Sequence, residues 1–98
     1  MSITALLDVR VTQESLATAP DVLRDTLAAT RAFPGCLGVD VVVDIDDPTH
    51  FLAIERWESI EADNAYREWR ATPEGASPLG SILAAAPTLT KFEDAPDV

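Results

Sequence analysis

Trp57, Tyr66 and Trp69 are half of the six aromatic residues in this 98-residue chain, and they fall within thirteen positions. Tyr66 and Trp69 are three apart, so on a helix they share a face about one turn apart. Trp57 closes an alternating segment just before them. A strand-end indole facing a helical tyrosine–indole pair makes a flat slot for an aromatic ligand, with the hydroxyl and the indole N–H as polar handles. Aromatics at this spacing also simply fill cores, and Trp57 and Trp69 are open to that reading. Charged candidates surround them. Asp8 and Arg10 share one face of an alternating segment, where they meet a ligand, a partner chain or each other. Arg67 and Arg70 flank Tyr66 and read as solvated partners of Asp63, Glu68 or Glu74, contributing little each. Arg56 points away from Trp57, and Asn64 lies off the Tyr66 face. His50, the single histidine, opens a strand beside a turn and reads as a surface residue. Cys36, the single cysteine, reads as a small buried filler.

Several chemistries lack their residues. One cysteine and one histidine make neither an internal disulfide nor a tetrahedral zinc site. Asp44, Asp46 and Asp47 read as a solvated turn, without the glycine and distal glutamate of a calcium loop. No glycine-rich phosphate loop or Ser–His–acid order stands out, so neither a cofactor nor a metal is expected. Seven Lys and Arg against seventeen Asp and Glu give a formal charge of −10. Such a chain repels phosphate backbones and anionic lipid, so nucleic acid and membrane are not expected partners. The longest apolar runs, Val41–Val43 and Ile82–Ala86, are too short to span a bilayer. No signal-peptide pattern opens the chain, and a cytoplasmic location is expected.

The length suits one domain over residues 1–98, with an acidic tail at about 94–98. Apolar residues at 47% and charged residues at 24% are ordinary for a globular chain. Ile3, Ala5, Leu7, Val9 and Val11 alternate with their neighbours, which predicts a strand over Ile3–Thr12. A helix is expected from Thr18, with Pro20 early and Asp21 at a capping spacing, to the Pro34-Gly35 stop. Leu37, Val39, Val41, Val43 and Ile45 share one face of a second strand. Asp46-Asp47-Pro48-Thr49 is expected as a turn into a third strand, His50–Trp57. That strand puts Phe51, Ala53, Glu55 and Trp57 on one side. Ser59 caps a second helix whose face carries Ala62, Ala65, Tyr66 and Trp69. A short helix from Ser77-Pro78 to Ala86 and a last strand, Thr88–Glu93, complete the chain.

Strand, helix, strand, strand, helix, strand is the order of the ferredoxin-like split βαβ arrangement. The fold class is therefore α+β, a four-stranded antiparallel sheet with both helices on one face. The other face, with Leu6, Val42 and Leu52, needs a cover. A homodimer packing sheet on sheet supplies one.

Four segments, Ala5–Val11, Pro34-Gly35-Cys36-Leu37-Gly38, Asp46–Thr49 and Ile54-Glu55-Arg56-Trp57-Glu58-Ser59, together resemble the antibiotic biosynthesis monooxygenase family. The likeness runs over roughly Ile3 to Glu93. It implies a dimeric α+β barrel that oxidises anthrones, quinols and related polyketide-derived aromatics with dioxygen, without flavin, haem or metal. In such chemistry the substrate is its own reductant, and the protein supplies a dry pocket, a proton acceptor and fixed dipoles. Trp57 matches the strand-end tryptophan that lines the pocket in family members. Tyr66 stands where many members carry histidine and some asparagine; a tyrosine donates a hydrogen bond to an oxyanion more readily than it takes a proton at neutral pH. The expected catalytic pair is Trp57 and Tyr66, and the expected substrate-binding set adds Trp69, Asp8 and Leu6. A haem-degrading branch of the fold places asparagine and histidine near the positions of Leu7 and Ala76, so haem is not expected. Two other functions remain open, a non-catalytic barrel that binds a small aromatic molecule, and a polyketide cyclase or isomerase.

Overall fold

The computed structural model describes residues 2–98. Its elements are β1 (Ile3–Arg10), α1 (Ala19–Ala32), β2 (Cys36–Asp44), β3 (Asp47–Trp57), α2 (Ile60–Arg70) and β4 (Thr88–Glu93). The strands form one antiparallel sheet in the order β2-β3-β1-β4. This is the expected ferredoxin-like arrangement, in which both crossovers lay their helices on the same face. No helix of the described residues is long and apolar enough to cross a membrane.

Alternation decides what each strand buries. Ile3, Ala5 and Val9 of β1, Ala53 and Trp57 of β3 and Val39 of β2 turn inward and are buried. Helix α1 lays Ala19, Leu23 and Leu27 on them. Burying each such leucine stabilises the fold by roughly 1.5–3 kcal/mol. Helix α2 is different, because its buried residues are Asp63 and Tyr66. Ser59 caps it as expected, its hydroxyl accepting from the Ala62 N–H at 3.1 Å. The α1–β2 turn needs a glycine. Gly35 has φ +91°, and a Cβ there would stand 2.5 Å from the Ala62 Cβ. Its carbonyl accepts from the Glu58 N–H at 2.9 Å, joining the turn to the end of β3.

Four local expectations are corrected. Thr18 makes no capping bond; its hydroxyl donates to the Ser15 carbonyl at 3.2 Å, and Asp21 pairs with Arg24 at 2.7 Å. The β2–β3 turn lies two residues earlier than expected, at Ile45-Asp46, and Pro48 falls inside β3. There the Asp44 carboxylate accepts from the Asp46 N–H at 2.8 Å, a local bond that closes the turn. Leu37 does not share the Val39 face. The register shifts between Cys36 and Gly38, so Cys36 turns inward and Leu37 is 61% exposed. Finally, the segment after Ser77 is a 3-10 helix over Pro78–Ile82 only. It stops because the next residues pair with the end of β1: Leu83 bridges Val11 and the Ala84 N–H donates to the Arg10 carbonyl at 2.8 Å.

The sheet face away from the helices carries Leu6 opposite Ile54, and Asp8 and Val42 each opposite Leu52. Val42 is 47% exposed and Phe92 49%. His50 is no free surface residue. Its Nε2 lies 2.9 Å from Asp8 and its Nδ1 2.9 Å from Asp44, so it ties β1 to the end of β2. Only the imidazolium donates from both nitrogens. The two carboxylates accordingly raise the His50 pKa above 6.5, and hydrogen bonds from His50 and the Asp46 N–H lower that of Asp44. A raised folded value means the stabilisation is full below about pH 6.5 and is lost as pH rises through the folded value. Melting of the native chain and His50→Gln against pH checks this: the gap between them should be widest near pH 5 to 6 and close on the alkaline side. A constant gap across that range contradicts the bridge.

Candidate functional site

Period-two alternation carries Ala53, Glu55 and Trp57 to the same inner face, so the end of β3 puts a carboxylate into the core. Glu55 is 1% exposed. Its Oε1 accepts from the Trp57 Nε1–H at 3.1 Å and from Arg67 Nη2 at 2.7 Å. Arg67 also donates from Nε to Asp63 Oδ1 at 2.8 Å, one helical turn back on α2. Asp63 is fully buried. Its Oδ2 has no hydrogen-bond partner but stands 3.5 Å from Lys91 Nζ of β4, an ion-pair distance too long for a strong hydrogen bond. One guanidinium thus holds two buried carboxylates.

A second guanidinium joins the helices. Arg70 donates from Nε to the Tyr66 hydroxyl at 2.7 Å. Its Nη2 donates to the Thr26 carbonyl at 2.7 Å and the Thr30 hydroxyl at 3.0 Å. Its Nη1 reaches the Gly75 carbonyl at 3.2 Å. Glycine is required at 75 because a Cβ would stand 1.9 Å from the Trp69 carbonyl oxygen. The Tyr66 and Thr30 hydroxyls are 2.6 Å apart. Tyr66 takes its bond from Arg70, so its own hydroxyl is already engaged on both sides.

These groups wall one side of a cavity of about 190 Å³ between the sheet, α1 and α2. Leu7, Val9, Leu23 and Leu27 make the apolar side; Glu55, Tyr66, Arg67, Arg70 and Thr26 make the polar side. A mostly apolar cavity with few convergent polar groups is the form of a small-molecule site. A larger depression, about 480 Å³, lies outside between β4 and the start of α2 against Ile60, Lys91 and Phe92. The buried carboxylate and the engaged tyrosine are not part of it; they line the inner cavity.

The expected residues divide. Tyr66 lines the cavity. Trp57 and Trp69 pack with Phe33 behind it, the Trp57 and Tyr66 rings 4.9 Å apart and the Phe33 and Trp69 rings 5.5 Å apart. Trp57 is completely buried and touches the site through its N–H to Glu55. Leu6 and Asp8 are not brought to the cavity. With Leu7 and Val9 turned in, alternation sends both to the opposite sheet face, where Asp8 meets His50. Arg67 does pair with Asp63, as expected, but neither it nor Arg70 is a solvated partner of Glu68 or Glu74; they are the two guanidiniums of the site. Asn64 accepts from Lys91 at 3.2 Å on the surface. Cys36 packs partly buried against Trp57 and Leu27, and burial pushes its thiol pKa up. Glu55, Thr26, Arg67 and Arg70 are the residues that sequence reasoning did not select. A lone carboxylate on the apolar side of β3 was the available signal.

Trp57 can be tested without emptying the core. Trp57→Ala should cost about 3–5 kcal/mol through the void it leaves. Trp57→Phe keeps a six-membered ring and gives up the smaller ring with its N–H to Glu55, a hydrogen bond to a charged group worth roughly 1.5–3 kcal/mol. Denaturant melts of both should therefore rank alanine well below phenylalanine. Equal losses contradict a packing role.

Residues 2–75 match the family model described as antibiotic biosynthesis monooxygenase. No curated protein matches the chain significantly. Solved structures share the fold closely. A crystal structure of an antibiotic biosynthesis monooxygenase is 23% identical, with a TM-score of 0.80 over 96% of this chain and 99% of that one. Rv0793 of Mycobacterium tuberculosis is 18% identical, with a TM-score of 0.77 over 97% and 96%. A conserved Bacteroides thetaiotaomicron protein of unknown function is 25% identical, with a TM-score of 0.76 over 95% and 97%. The match over residues 2–75, together with the shared strand frame, shows that the chain belongs to the antibiotic biosynthesis monooxygenase family.

Proposed function

We propose that this protein is a cofactor-independent monooxygenase that oxidises a quinol-like aromatic molecule with dioxygen in the cavity between α1, α2 and the sheet. The carrying observation is Glu55, a carboxylate 1% exposed on the wall of an otherwise largely apolar cavity. Both its hydrogen bonds fall on Oε1. The other oxygen is the proton acceptor in this reading, and Trp57 and Arg67 are positioning residues that hold the carboxylate still. The cavity volume favours one or two rings over a full three-ring anthrone, since a dry cavity of about 150 Å³ accommodates benzene.

The chemistry balances without another reductant. Glu55 takes a ring hydroxyl proton, and the electron-rich phenolate gives one electron to dioxygen. The resulting superoxide and semiquinone join at a ring carbon. The O–O bond then breaks as the distal oxygen leaves as water with two protons, one returned by Glu55 and one lost from the ring carbon that becomes the new carbonyl. Hydroquinone and dioxygen give hydroxyquinone and one water, with every electron supplied by the substrate. The chain acts as a homodimer in this proposal, covering the half-exposed face of Val42, Leu52 and Phe92.

One observation favours a second reading, a barrel that binds an aromatic molecule without oxidising it. The family resemblance implies histidine where Tyr66 stands, and the Tyr66 hydroxyl is engaged with Thr30 and Arg70. Oxygen uptake by metal-stripped protein on hydroquinones and anthrones separates the two. The native chain, sedimenting at twice 10.5 kDa, should consume oxygen above the buffer rate. Glu55→Gln, assayed at a temperature where circular dichroism shows it folded, should lose about 100-fold or more. Uptake unchanged in that variant overturns Glu55 as the base, and ligand-induced thermal stabilisation with no uptake favours the binding reading.

A further inference from the structure

A second hollow lies on the other flank of α1. Pro20, Arg24, Leu27 and Arg31 recur every three or four residues, so they form one stripe along the helix. Val41 of β2 and Phe51 of β3 face that stripe, both on the inward parity of their strands. With Leu23 these residues line a groove of about 260 Å³. Leu23 and Leu27 border the inner cavity as well; the other residues of the groove do not. Val41 is 37% exposed, so the groove offers apolar surface that the fold has left uncovered.

The two cations of the groove are met differently. Arg24 pairs with Asp21 at 2.7 Å. Arg31 has no ion pair among the described residues. Its hydrogen bond runs from Nη2 to the Val39 carbonyl at 3.0 Å, which anchors the guanidinium at the Val39 end of the groove. Nη1 and Nε keep their donors free. Arg70 also lacks an ion pair, but it gives four hydrogen bonds and lies over the Tyr66 and Trp69 rings. Arg31 has no such substitutes. A planar guanidinium takes a carboxylate through two parallel N–H···O bonds. One unpaired cation matches one negative charge. A dianion meets Asp21 at the rim and the −10 of the whole chain.

We infer that this groove is a second ligand site, which takes a small apolar monocarboxylate with Arg31 as its counter-ion. The apolar body lies against Leu27, Val41 and Phe51, and the carboxylate reaches Arg31. The volume suits one ring on a short arm, since a cavity of about 150 Å³ holds benzene. The inference does not depend on what the inner cavity does and stands whether or not the chain is an oxygenase.

The probe is 3-phenylpropanoate, compared with the neutral amide of the same shape. Each is titrated into nitrogen-15-labelled protein and followed by the backbone amide signals. The acid should move Arg31, Val41 and Phe51 saturably and leave Tyr66 and Trp69 in place. The neutral amide should bind about fivefold more weakly, the upper end for an exposed ion pair. Arg31→Gln, a change at an exposed position, should bring the acid down to the level of the amide. Val41→Glu sets a carboxylate in the groove from an edge strand and should abolish binding. Arg24→Gln should bind the acid as the native chain does, because Arg24 is already answered by Asp21. Signals that move at Tyr66 with Arg31 still, acid and amide binding equally, undiminished binding by Arg31→Gln, or no binding at several millimolar acid each overturn the inference.

Discussion

A carboxylate enclosed in a sheet–helix interface costs several kcal/mol unless a cation and hydrogen bonds meet it. This chain encloses two, Glu55 and Asp63, and meets both with Arg67. Removing one partner of such a group is destabilising by about 3–5 kcal/mol, because the others are left charged and buried. The requirement fixes how α2 lies on the sheet. Arg67 has to sit over the end of β3, which puts Asp63 toward β4 and Tyr66 over Trp57. A helix with an apolar underside slides and rotates at small cost; one pinned to β3 by the Arg67–Glu55 pair and to β4 by the Asp63–Lys91 pair does not.

The rest of the site follows from that placement. With Arg67 fixed, Arg70 falls one turn on from Tyr66 and reaches α1 through Thr26 and Thr30. The Gly75 carbonyl closes the other side of Arg70, at a position where only glycine fits against the Trp69 carbonyl. Aromatic rings fill the space behind, so the polar groups are held by packing as well as by hydrogen bonds. Fixed dipoles and charges around the cavity suit a reaction that proceeds through an anion, since they need no reorganisation as charge develops.

Much of the frame was legible in the sequence. The alternation of Ile3 to Val11, the Pro34-Gly35 stop and the Ser59 cap each rest on one local rule, and each produces the element it predicts. Errors arose where a distant contact overruled the local signal. Pro48 looked like a turn residue, but the Asp44 side chain closes the turn earlier. Ile82 to Ala86 looked helical, but the backbone there pairs with β1. The site was less legible for the same reason. Arg67 and Arg70 look like exposed helix residues from their spacing, and only the third dimension brings Glu55 and Thr26 to them. Leu6 and Asp8 fall on the outward parity of β1, opposite to Leu7 and Val9, so alternation keeps them from the site. Glu55, on the inward parity with Ala53 and Trp57, was the overlooked sign that the core contains charge.

The central claim is that reaction takes place in the cavity walled by Glu55, Tyr66 and Arg70. The most direct measurement is a crystal structure of the protein soaked anaerobically with hydroquinone. The account predicts the ring between α1, α2 and the sheet, with one hydroxyl within about 3 Å of a Glu55 carboxylate oxygen. A ring found instead in the depression between β4 and α2, with the inner cavity empty, contradicts it.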